Sequence, residues 1–482
     1  MTEPESPKVL PAYAVDGADV PHPNELGAVH LVGIGGAGMS GIARIMHAMG
    51  LRVSGSDAKE SAALLNLRSR GVRCEIGHDA SHLGSADTVV VSSAIRPSNP
   101  EVVEAANRGL RIIPRALALA SVMLDRRAVA VAGTHGKTST TSMLVVAAQA
   151  CGADPSYAIG GELNESGSNA HLGTGDLFVA EADESDGSFL LFAPYAGIVT
   201  NVEADHLDNY GDLPAVLRAF DSFVDTIDDH GFVVVCRDDE RASALADRAR
   251  RRGLAAWTYG QHPDADLRLS DIDVTGTRTR YRAHIDGTDH SVELGAPGVH
   301  MALNSAAALL TGVRLGLPAT KLVAGLAAYA GVHRRMEYIG AARGIRVFDD
   351  YAHHPTEIAA QLRAARAVAG DGRLIACFQP HLFSRTKAFA AEFGASLGLA
   401  DDVVVMDVFA AREDPVPGVT GALVAAAVPP GRGAVQFEPS WVKTADVVAR
   451  LARPGDLIMT LGAGNVTMLG QEILAAIESR PQ

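Results

Sequence analysis

The segment at residues 128–150 constrains the fold of this chain most strongly. Residues 128–132 (AVAVA) are a short apolar run of the kind that a buried strand requires, and residues 133–139 (GTHGKTS) bring two glycines and a Lys-Thr pair. A stretch with helical character follows to about residue 150. A buried strand, a glycine-rich loop and a helix in this order are typical of a phosphate-binding loop in a mainly parallel α/β sheet.

The composition of this loop indicates an ATP site. Its glycines allow several backbone N–H groups to point at phosphate oxygens, and the following helix adds partial positive charge. Lys137 is placed to reach the β- and γ-phosphates, and the Thr138 hydroxyl is placed to bind Mg2+. The pattern departs from G-x-x-x-x-G-K-[ST], because Val131 stands where the first glycine belongs. A tight glycine turn entering a helix is therefore the alternative. The predicted ATP-binding loop residues are Gly133, Thr134, His135, Gly136, Lys137, Thr138 and Ser139.

Two acidic clusters follow the next predicted strands. Residues 181–186 (EADESD) come after a strand at 177–180, and residues 201–208 (NVEADHLD) come after one at 197–200. Because ligands of a doubly wound sheet bind beyond the carboxyl ends of its strands, both clusters should face the phosphate loop. Their oxygen ligands suit Mg2+. Each cluster alone could be a solvated loop end, but two at adjacent strand ends favour a metal site.

A second glycine-rich turn occurs near the start of the chain. Residues 33–38 (GIGGAG) follow a predicted strand at 28–32, and Asp57 ends the next one. This pattern is similar to an NAD fingerprint, but its physical basis suits any nucleotide diphosphate. A purely structural turn is one alternative. An NAD-dependent oxidoreductase is another, and it leaves the phosphate loop and the acidic clusters unexplained.

Alternation of strands and helices recurs from about residue 28 onward in this chain of 482 residues and predicts an α/β protein of three domains. These are an N-terminal Rossmann-like domain that suits a nucleotide diphosphate, a central P-loop ATPase domain with a mainly parallel sheet, and a C-terminal Rossmann-like α/β domain. The predicted boundaries give a flexible tail at residues 1–24 and domains at residues 25–124, 125–331 and 332–482.

Composition excludes several function classes. A net charge of −14 argues against a nucleic-acid partner. Apolar runs stay shorter than the ~20 residues that a membrane-spanning helix needs, and the first residues do not have the pattern of a signal peptide. The cysteines are far apart, so we expect reduced thiols in a cytoplasmic enzyme without zinc. They are Cys74, Cys151, Cys236 and Cys377.

Nine segments in order carry a family resemblance: GIGGAGMSGIA, VSGSD, VSSAI, GTHGKTSTT, EADESD, TNVEADHLD, HRRMEYIG, DDYAHHPTEI and FQPHLFSRT. Together they resemble the cytoplasmic Mur ligases over about residues 29–466. The phosphate loop alone would also allow a folylpolyglutamate synthase, whereas the first and eighth segments point to the alanine-adding branch. The resemblance implies an ATP-dependent acid–amino-acid ligase of peptidoglycan synthesis. It would use Mg2+ and join L-alanine to the lactyl carboxylate of UDP-N-acetylmuramate through an acyl phosphate.

The resemblance also implies roles for individual residues. The UDP-sugar would contact Gly35, Gly36, Gly38, Met39, Ser40, Asp57, Ser92 and Ser93. The catalytic group would be Lys137, Glu181 and His206, with Thr138, Glu181 and His206 as Mg2+ ligands. Further ATP contacts would come from Asn304, Arg335 and Asp350. The amino acid would contact Tyr351, His353, His381 and Arg385.

Some positions depart from the family pattern. Met301 stands where the family often has Asn, which leaves Asn304 as the adenine contact, and Leu382 stands where it often has Arg. Arg218 occupies the region in which sibling ligases carry a carbamylated lysine, so we expect no carbamate.

Two other functions stay open. The nearest alternative is a recycling ligase that adds the tripeptide L-Ala-γ-D-Glu-meso-diaminopimelate. A nucleotide-sensing module is the other. We expect a monomer or a weak homodimer.

Overall fold

The computed structural model describes residues 20–480 apart from residues 93, 412 and 432. Most of the predicted tail and Ser93 therefore lie outside the described residues. The chain divides into two compact units. The first unit contains the residues up to Leu269 together with Ala283–His290 and Leu303–Leu326. The second contains Ser270–Arg282, Ser291–Ala302 and the residues from Ala327 onward.

Strands and helices alternate through much of the described chain. The strands are β1 (Val29–Val32), β2 (Val53–Asp57), β3 (Arg73–Ile76), β4 (Thr88–Val91), β5 (Arg111–Pro114), β6 (Arg127–Ala132), β7 (Ser156–Leu163), β8 (Ser168–His171), β9 (Leu177–Glu181), β10 (Ala196–Val199), β11 (Phe232–Cys236), β12 (Ala255–Gly260), β13 (Leu267–Thr275), β14 (Arg278–Ile285), β15 (Thr288–Leu294), β16 (Glu337–Ala342), β17 (Ile345–Asp350), β18 (Leu374–Phe378), β19 (Asp402–Val405), β20 (Val435–Phe437) and β21 (Leu457–Leu461). The α-helices are α1 (Ala37–Ala48), α2 (Ala62–Ser69), α3 (Pro100–Asn107), α4 (Arg115–Met123), α5 (Lys137–Ala150), α6 (Leu207–Tyr210), α7 (Leu213–Asp225), α8 (Glu240–Arg251), α9 (Val299–Arg314), α10 (Ala319–Ala327), α11 (Pro355–Ala369), α12 (Phe383–Leu397), α13 (Gly421–Ala427), α14 (Trp441–Leu451) and α15 (Leu469–Glu478).

The N-terminal sheet has the strand order β3-β2-β1-β4-β5, and its pairs are parallel. Every residue of β1 is buried, as expected of a parallel strand covered on both faces. The chain leaves β1 for β2 on one side and later returns to β4 on the other. The glycine-rich turn after β1 therefore lies at a topological switch point, where ligands of such sheets bind.

The sheet around the phosphate loop has β6 inside it. Within the first unit the strand order is β12-β11-β10-β6-β9-β7-β8. β6 pairs in parallel with both β9 and β10. The phosphate loop follows β6, and the two acidic clusters follow β9 and β10. All three segments thus emerge at the carboxyl ends of three adjacent strands, which confirms the predicted juxtaposition.

The sheet of the second unit has the order β16-β17-β21-β18-β19-β20. Only the pairing of β16 with β17 is antiparallel among the pairs described for this sheet. Apolar clusters cover both of its faces, one against α14 and α15 and the other against α11 and α12. This doubly covered sheet confirms the α/β class predicted for the C-terminal part.

The strands predicted at residues 28–32, 128–132, 177–180 and 197–200 are confirmed within a few residues as β1, β6, β9 and β10. In the C-terminal sheet, β19 ends at Val405. Just beyond it, Asp407 Oδ1 accepts hydrogen bonds from the N–H groups of Val408 and Gly421, which turns the chain out of the sheet. The domain boundaries stay a prediction. Among the described helices, none combines the length and apolar character needed to cross a membrane.

Candidate active site

The last turn of the phosphate loop has a backbone conformation that favours glycine. Gly136 precedes α5 with a φ of 84°, in the left-handed region. A Cβ atom there would lie 2.6 Å from Asn304 Oδ1, far inside van der Waals contact. Asn304, the predicted adenine contact, is buried against this turn. The loop and Asn304 are therefore packed together in the first unit.

The segment after β10 braces the same loop. The backbone N–H of His135 donates to Asn201 Oδ1 at 2.9 Å, and Asn201 Nδ2 donates back to the His135 carbonyl at 3.0 Å. Thr134 Oγ1 accepts from the Glu203 N–H at 2.8 Å. These reciprocal bonds fix the loop to the end of the neighbouring strand. The sequence placed Asn201 in an acidic cluster but gave it no role of its own.

Lys137 lies under the loop with every N–H donor engaged. Its Nζ is 2.7 Å from the Gly133 carbonyl, 3.2 Å from the Thr134 carbonyl, and 2.9 and 2.7 Å from the two Glu184 oxygens. Burial alone would lower the pKa of Lys137, but the carboxylates of Glu184 and Asp183 outweigh it and raise the pKa to about 12. The ammonium thus stays charged at neutral pH. Burial raises the pKa of Glu184 to about 7, against the opposing effect of Lys137.

Thr138 and Glu181 form the pair predicted to hold Mg2+. The Thr138 hydroxyl lies 3.1 and 3.0 Å from the two Glu181 oxygens, at the start of α5 and the end of β9. One of these oxygens also accepts from the Gly160 N–H at 2.8 Å. A hydroxyl and a carboxylate are hard oxygen donors beside a phosphate loop, and this donor set fits Mg2+ with water completing its shell.

His206, the third predicted ligand, lies on the other side of Glu184. Its backbone is left-handed, with a φ of 54°. Its Nε2 is 3.8 Å from Glu184 Oε1 and 3.6 Å from Asp205 Oδ2. Glu184 therefore lies between Lys137 and His206. Sequence analysis did not assign Glu184, because its near-complete burial could not be read from a run of acidic residues.

The N-terminal glycine-rich turn is closed by Asp57. The Gly35 N–H donates to Asp57 Oδ2 at 2.9 Å, and a Cβ at Gly35 would lie 2.5 Å from Leu64 Cδ1. Met39 is buried in the apolar core behind the turn. The Ser40 hydroxyl donates to the Ala37 carbonyl at 3.1 Å. A ligand at this turn would therefore be contacted mainly by the backbone of residues 35–38.

Two clefts lead from this turn toward the metal pair, and both lie within the first unit. One, of about 720 Å3, is bordered by Gly35, Ser40, Arg44, Glu162 and Asn169. The other, of about 660 Å3, is bordered by Gly38, Arg115, Gly160, Asn169, Glu181 and Asp183. They share Ala37 and Asn169. The second cleft extends from Gly38 to Glu181, so a ligand anchored at the glycine-rich turn can reach Glu181.

The hairpin of β7 and β8 supplies one wall of these clefts. Asn169 Nδ2 donates to the Ala37 carbonyl at 2.7 Å, and the Arg44 guanidinium donates to the Ser168 hydroxyl at 3.0 Å. Arg115 Nη2 lies 3.8 Å from Asp183 Oδ2 across the second cleft. The sequence analysis missed this hairpin, because its glycines at positions 160 and 161 interrupt the apolar alternation expected of a strand.

The second unit brings the predicted amino-acid residues together. The Tyr351 and His353 rings are 5.2 Å apart, and the His353 and His381 rings are 6.1 Å apart. The Arg335 guanidinium lies 5.3 Å from the centre of the Tyr351 ring. Arg385, in the first turn of α12, is buried. Tyr351, His353, His381 and Arg335 thus form one polar and aromatic cluster beyond the carboxyl ends of β17 and β18.

Asp350, the predicted ribose contact, is fully buried at the end of β17. Its two oxygens accept from the backbone N–H groups of Met336 and Ala352 at 2.7 and 2.8 Å. Burial raises its pKa to about 7, although nearby Arg335 opposes the shift. In this structure the carboxylate therefore fixes the chain around residues 336–352, and its contact with ATP stays a prediction.

Comparison with known proteins places these features in a family. Three family models match consecutive parts of the chain: the Mur ligase family catalytic domain at residues 28–127, the Mur ligase middle domain at 131–312, and the Mur ligase glutamate ligase domain at 334–464. The chain belongs to the Mur ligase family.

Individual relatives of this Mur ligase agree with that assignment. It is 56% identical to UDP-N-acetylmuramate–L-alanine ligase of Acidothermus cellulolyticus, over 95% of this chain and 96% of the relative. The solved UDP-N-acetylmuramate-alanine ligase of Thermotoga maritima is 28% identical with a TM-score of 0.77, over 94% of this chain and 99% of that one. The murein peptide ligase of Psychrobacter arcticus is 27% identical with a TM-score of 0.69, over the same shares.

Proposed function

We propose that this Mur ligase joins L-alanine to the lactyl carboxylate of UDP-N-acetylmuramate, with cleavage of ATP to ADP and phosphate. The observation that carries the proposal is the cleft that leads from the N-terminal glycine-rich turn to Glu181 beside the phosphate loop. A nucleotide sugar anchored at the turn would have its acidic end directed toward the γ-phosphate. The name of the Acidothermus relative, at 56% identity, supports this substrate pair.

The first step needs an anion to attack an anion. The lactyl carboxylate attacks the γ-phosphate and an acyl phosphate forms, with ADP as the leaving group. Lys137 is held as a charged ammonium under the loop, so it stabilises the negative charge that develops on the phosphates. Thr138, Glu181 and His206 would hold Mg2+, which supplies further charge neutralisation when bound.

The second step needs a positioned amine. Arg385 is a suitable partner for the carboxylate of L-alanine, because guanidinium binds carboxylate in a two-pronged fork. Tyr351, His353 and His381 would surround the rest of the small amino acid. Its neutral amine attacks the acyl carbon, and the tetrahedral intermediate expels phosphate. Asn304, Arg335 and Asp350 would complete the contacts with ATP.

We further propose that the protein works in the cytoplasm as a monomer or weak homodimer, without a nucleic-acid partner. Its four cysteines are free thiols, which supports a reducing compartment. In that setting the reaction would build a peptidoglycan precursor. Cell wall biogenesis, cell shape and cell division would therefore depend on it.

An acceptor comparison tests this function against the recycling alternative. ADP release is measured with UDP-N-acetylmuramate and either free L-alanine or the tripeptide L-Ala-γ-D-Glu-meso-diaminopimelate. We expect rapid release with L-alanine and background release with the tripeptide. The reverse preference would make the protein a recycling ligase. Nucleotide binding without release in either reaction would favour a nucleotide-sensing module.

A further inference from the structure

Glu184 is an active-site side chain to which the proposed chemistry gives no role. It lies three residues after Glu181, and its side chain is 3% exposed. Burying a carboxylate costs free energy unless partners offset the loss of water. The partners that offset this cost therefore indicate the role of Glu184.

The partner of Glu184 is Lys137. Both carboxylate oxygens lie within 2.9 Å of Nζ, and the Gly133 and Thr134 carbonyls take the other donors of the ammonium. Because an ammonium has three N–H donors, groups of the chain itself engage all of them. A phosphate that binds Lys137 must therefore take a donor from one of these acceptors. Glu184 is the only carboxylate among these three residues, and the other two offer neutral backbone carbonyls.

Glu184 is also fixed from its other side. The Tyr210 hydroxyl donates to the Glu184 carbonyl at 2.5 Å, and Asn209 Nδ2 donates to the Ser185 carbonyl at 3.1 Å. Both donors lie in α6, directly after His206. The backbone at residues 184–185 is thus tied to this short helix, which fixes the position from which the Glu184 side chain reaches Lys137.

We propose that Glu184 is a positioning residue that acts through Lys137. It holds the ammonium beneath the loop and competes with nucleotide phosphates for it, so it limits how tightly ATP and ADP bind and hastens ADP release. This inference rests on the proposed function, in which Lys137 contacts the β- and γ-phosphates.

The test is Glu184→Gln, which keeps the shape of the side chain and removes its charge. Loss of one charged competitor is expected to tighten ATP and ADP binding by roughly tenfold. AMP, which lacks the phosphates that reach Lys137, should bind as it does to the unaltered enzyme. The KM for ATP and kcat should fall together, because tightly held ADP leaves slowly. Calorimetric titration and steady-state ADP release measure these quantities.

Asp238→Asn is the matched control. It also removes one negative charge, just after β11 of the same sheet, but its carboxylate accepts hydrogen bonds from the N–H groups of Gln261 and His262 instead of contacting Lys137. Its affinity for ADP should stay within about twofold of the unaltered enzyme, since a change that small is under 0.5 kcal/mol. A tightening equal to that of Glu184→Gln would show a general charge effect and overturn the positioning role.

A second variant guards against misfolding of the first. Glu184→Asp keeps the charge but withdraws it by one methylene, so ADP affinity should lie between those of the unaltered enzyme and Glu184→Gln. ADP binding that is unchanged or weaker in both variants would overturn the proposal.

Lys137→Ala distinguishes failure of the positioning role from failure of the proposed function. Normal ATP binding in that variant would contradict the proposed function itself. Lost binding there, with no tightening at Glu184, would contradict the positioning role alone.

Discussion

At the residue scale, the phosphate loop requires glycine at position 136. Gly152 has a similar φ but can be replaced. Gly136 and Gly152 have φ values of 84° and 85°, but a Cβ would meet Asn304 at 2.6 Å only in the first case, with nothing within 4 Å in the second. Both Ala variants should lose about 1 kcal/mol of stability from the left-handed backbone. Gly136→Ala should in addition abolish ATP binding, whereas Gly152→Ala should retain full activity. Calorimetry with ATP and chemical denaturation measure both effects, and a fully active Gly136→Ala would refute the loop geometry described above.

Sequence patterns identified the residues of this loop, because their spacing follows from what phosphates require of a backbone. They did not identify Glu184, Asn201 or Asn169. Each of these acts through a partner distant in sequence, such as Lys137, His135 or Ala37, and no local pattern records that partner. Local patterns therefore predict candidate ligand-binding side chains, which stay predictions, but they do not reveal the side chains that hold those candidates in place.

At the element scale, a buried carboxylate ties three elements of the N-terminal sheet together. Glu101 of α3 accepts from Ser56 of β2 at 2.5 Å, and its carboxylate lies 3.5 Å from His30 of β1. Burial would raise its pKa, but the neighbouring His30 and the hydrogen bond from Ser56 prevail and lower the pKa to about 2. The folded-state pKa is therefore below the unfolded value near 4.5. The stabilisation is present above pH 4.5 and is lost as the pH falls toward 2.

Glu101→Gln should therefore lower the free energy of unfolding at pH 7 by about 1–3 kcal/mol, the range for removing a buried charged hydrogen-bond partner. The difference from the unaltered protein should stay constant from pH 7 to 5 and shrink below about 4.5, in step with protonation of the unfolded carboxyl. Urea unfolding at several pH values measures it. A difference that grows on acidification would contradict this assignment.

Prediction of elements succeeded where a strand is buried on both faces. Continuous apolar runs identified β1, β6, β9 and β10, which carry the candidate site of the first unit at their carboxyl ends. It failed for β7 and β8, and for β13, β14 and β15. These strands have glycines or exposed polar residues on alternate positions, so their sequences lack the apolar run that marks an inner strand.

At the scale of the whole molecule, the proposed binding sites of ATP and of the nucleotide sugar lie on different sheets. We propose that ATP binds the loop after β6 and that the nucleotide sugar binds the turn after β1, with the clefts beside Asn169 between them. Changes at one sheet should therefore affect one ligand and spare the other. The ligation chemistry requires the two ligands to bind separately and to meet at Glu181.

The most direct test combines one variant with two ligands. Lys137→Ala is titrated calorimetrically with UDP-N-acetylmuramate and with ATP, and its ADP release in the presence of L-alanine is measured. The account predicts that affinity for UDP-N-acetylmuramate stays within about threefold, a change below 1 kcal/mol. ADP release should fall by at least about a hundredfold, as expected for removal of a charge that stabilises phosphoryl transfer. Collapse of both affinities together would contradict the assignment of the two ligands to separate sheets.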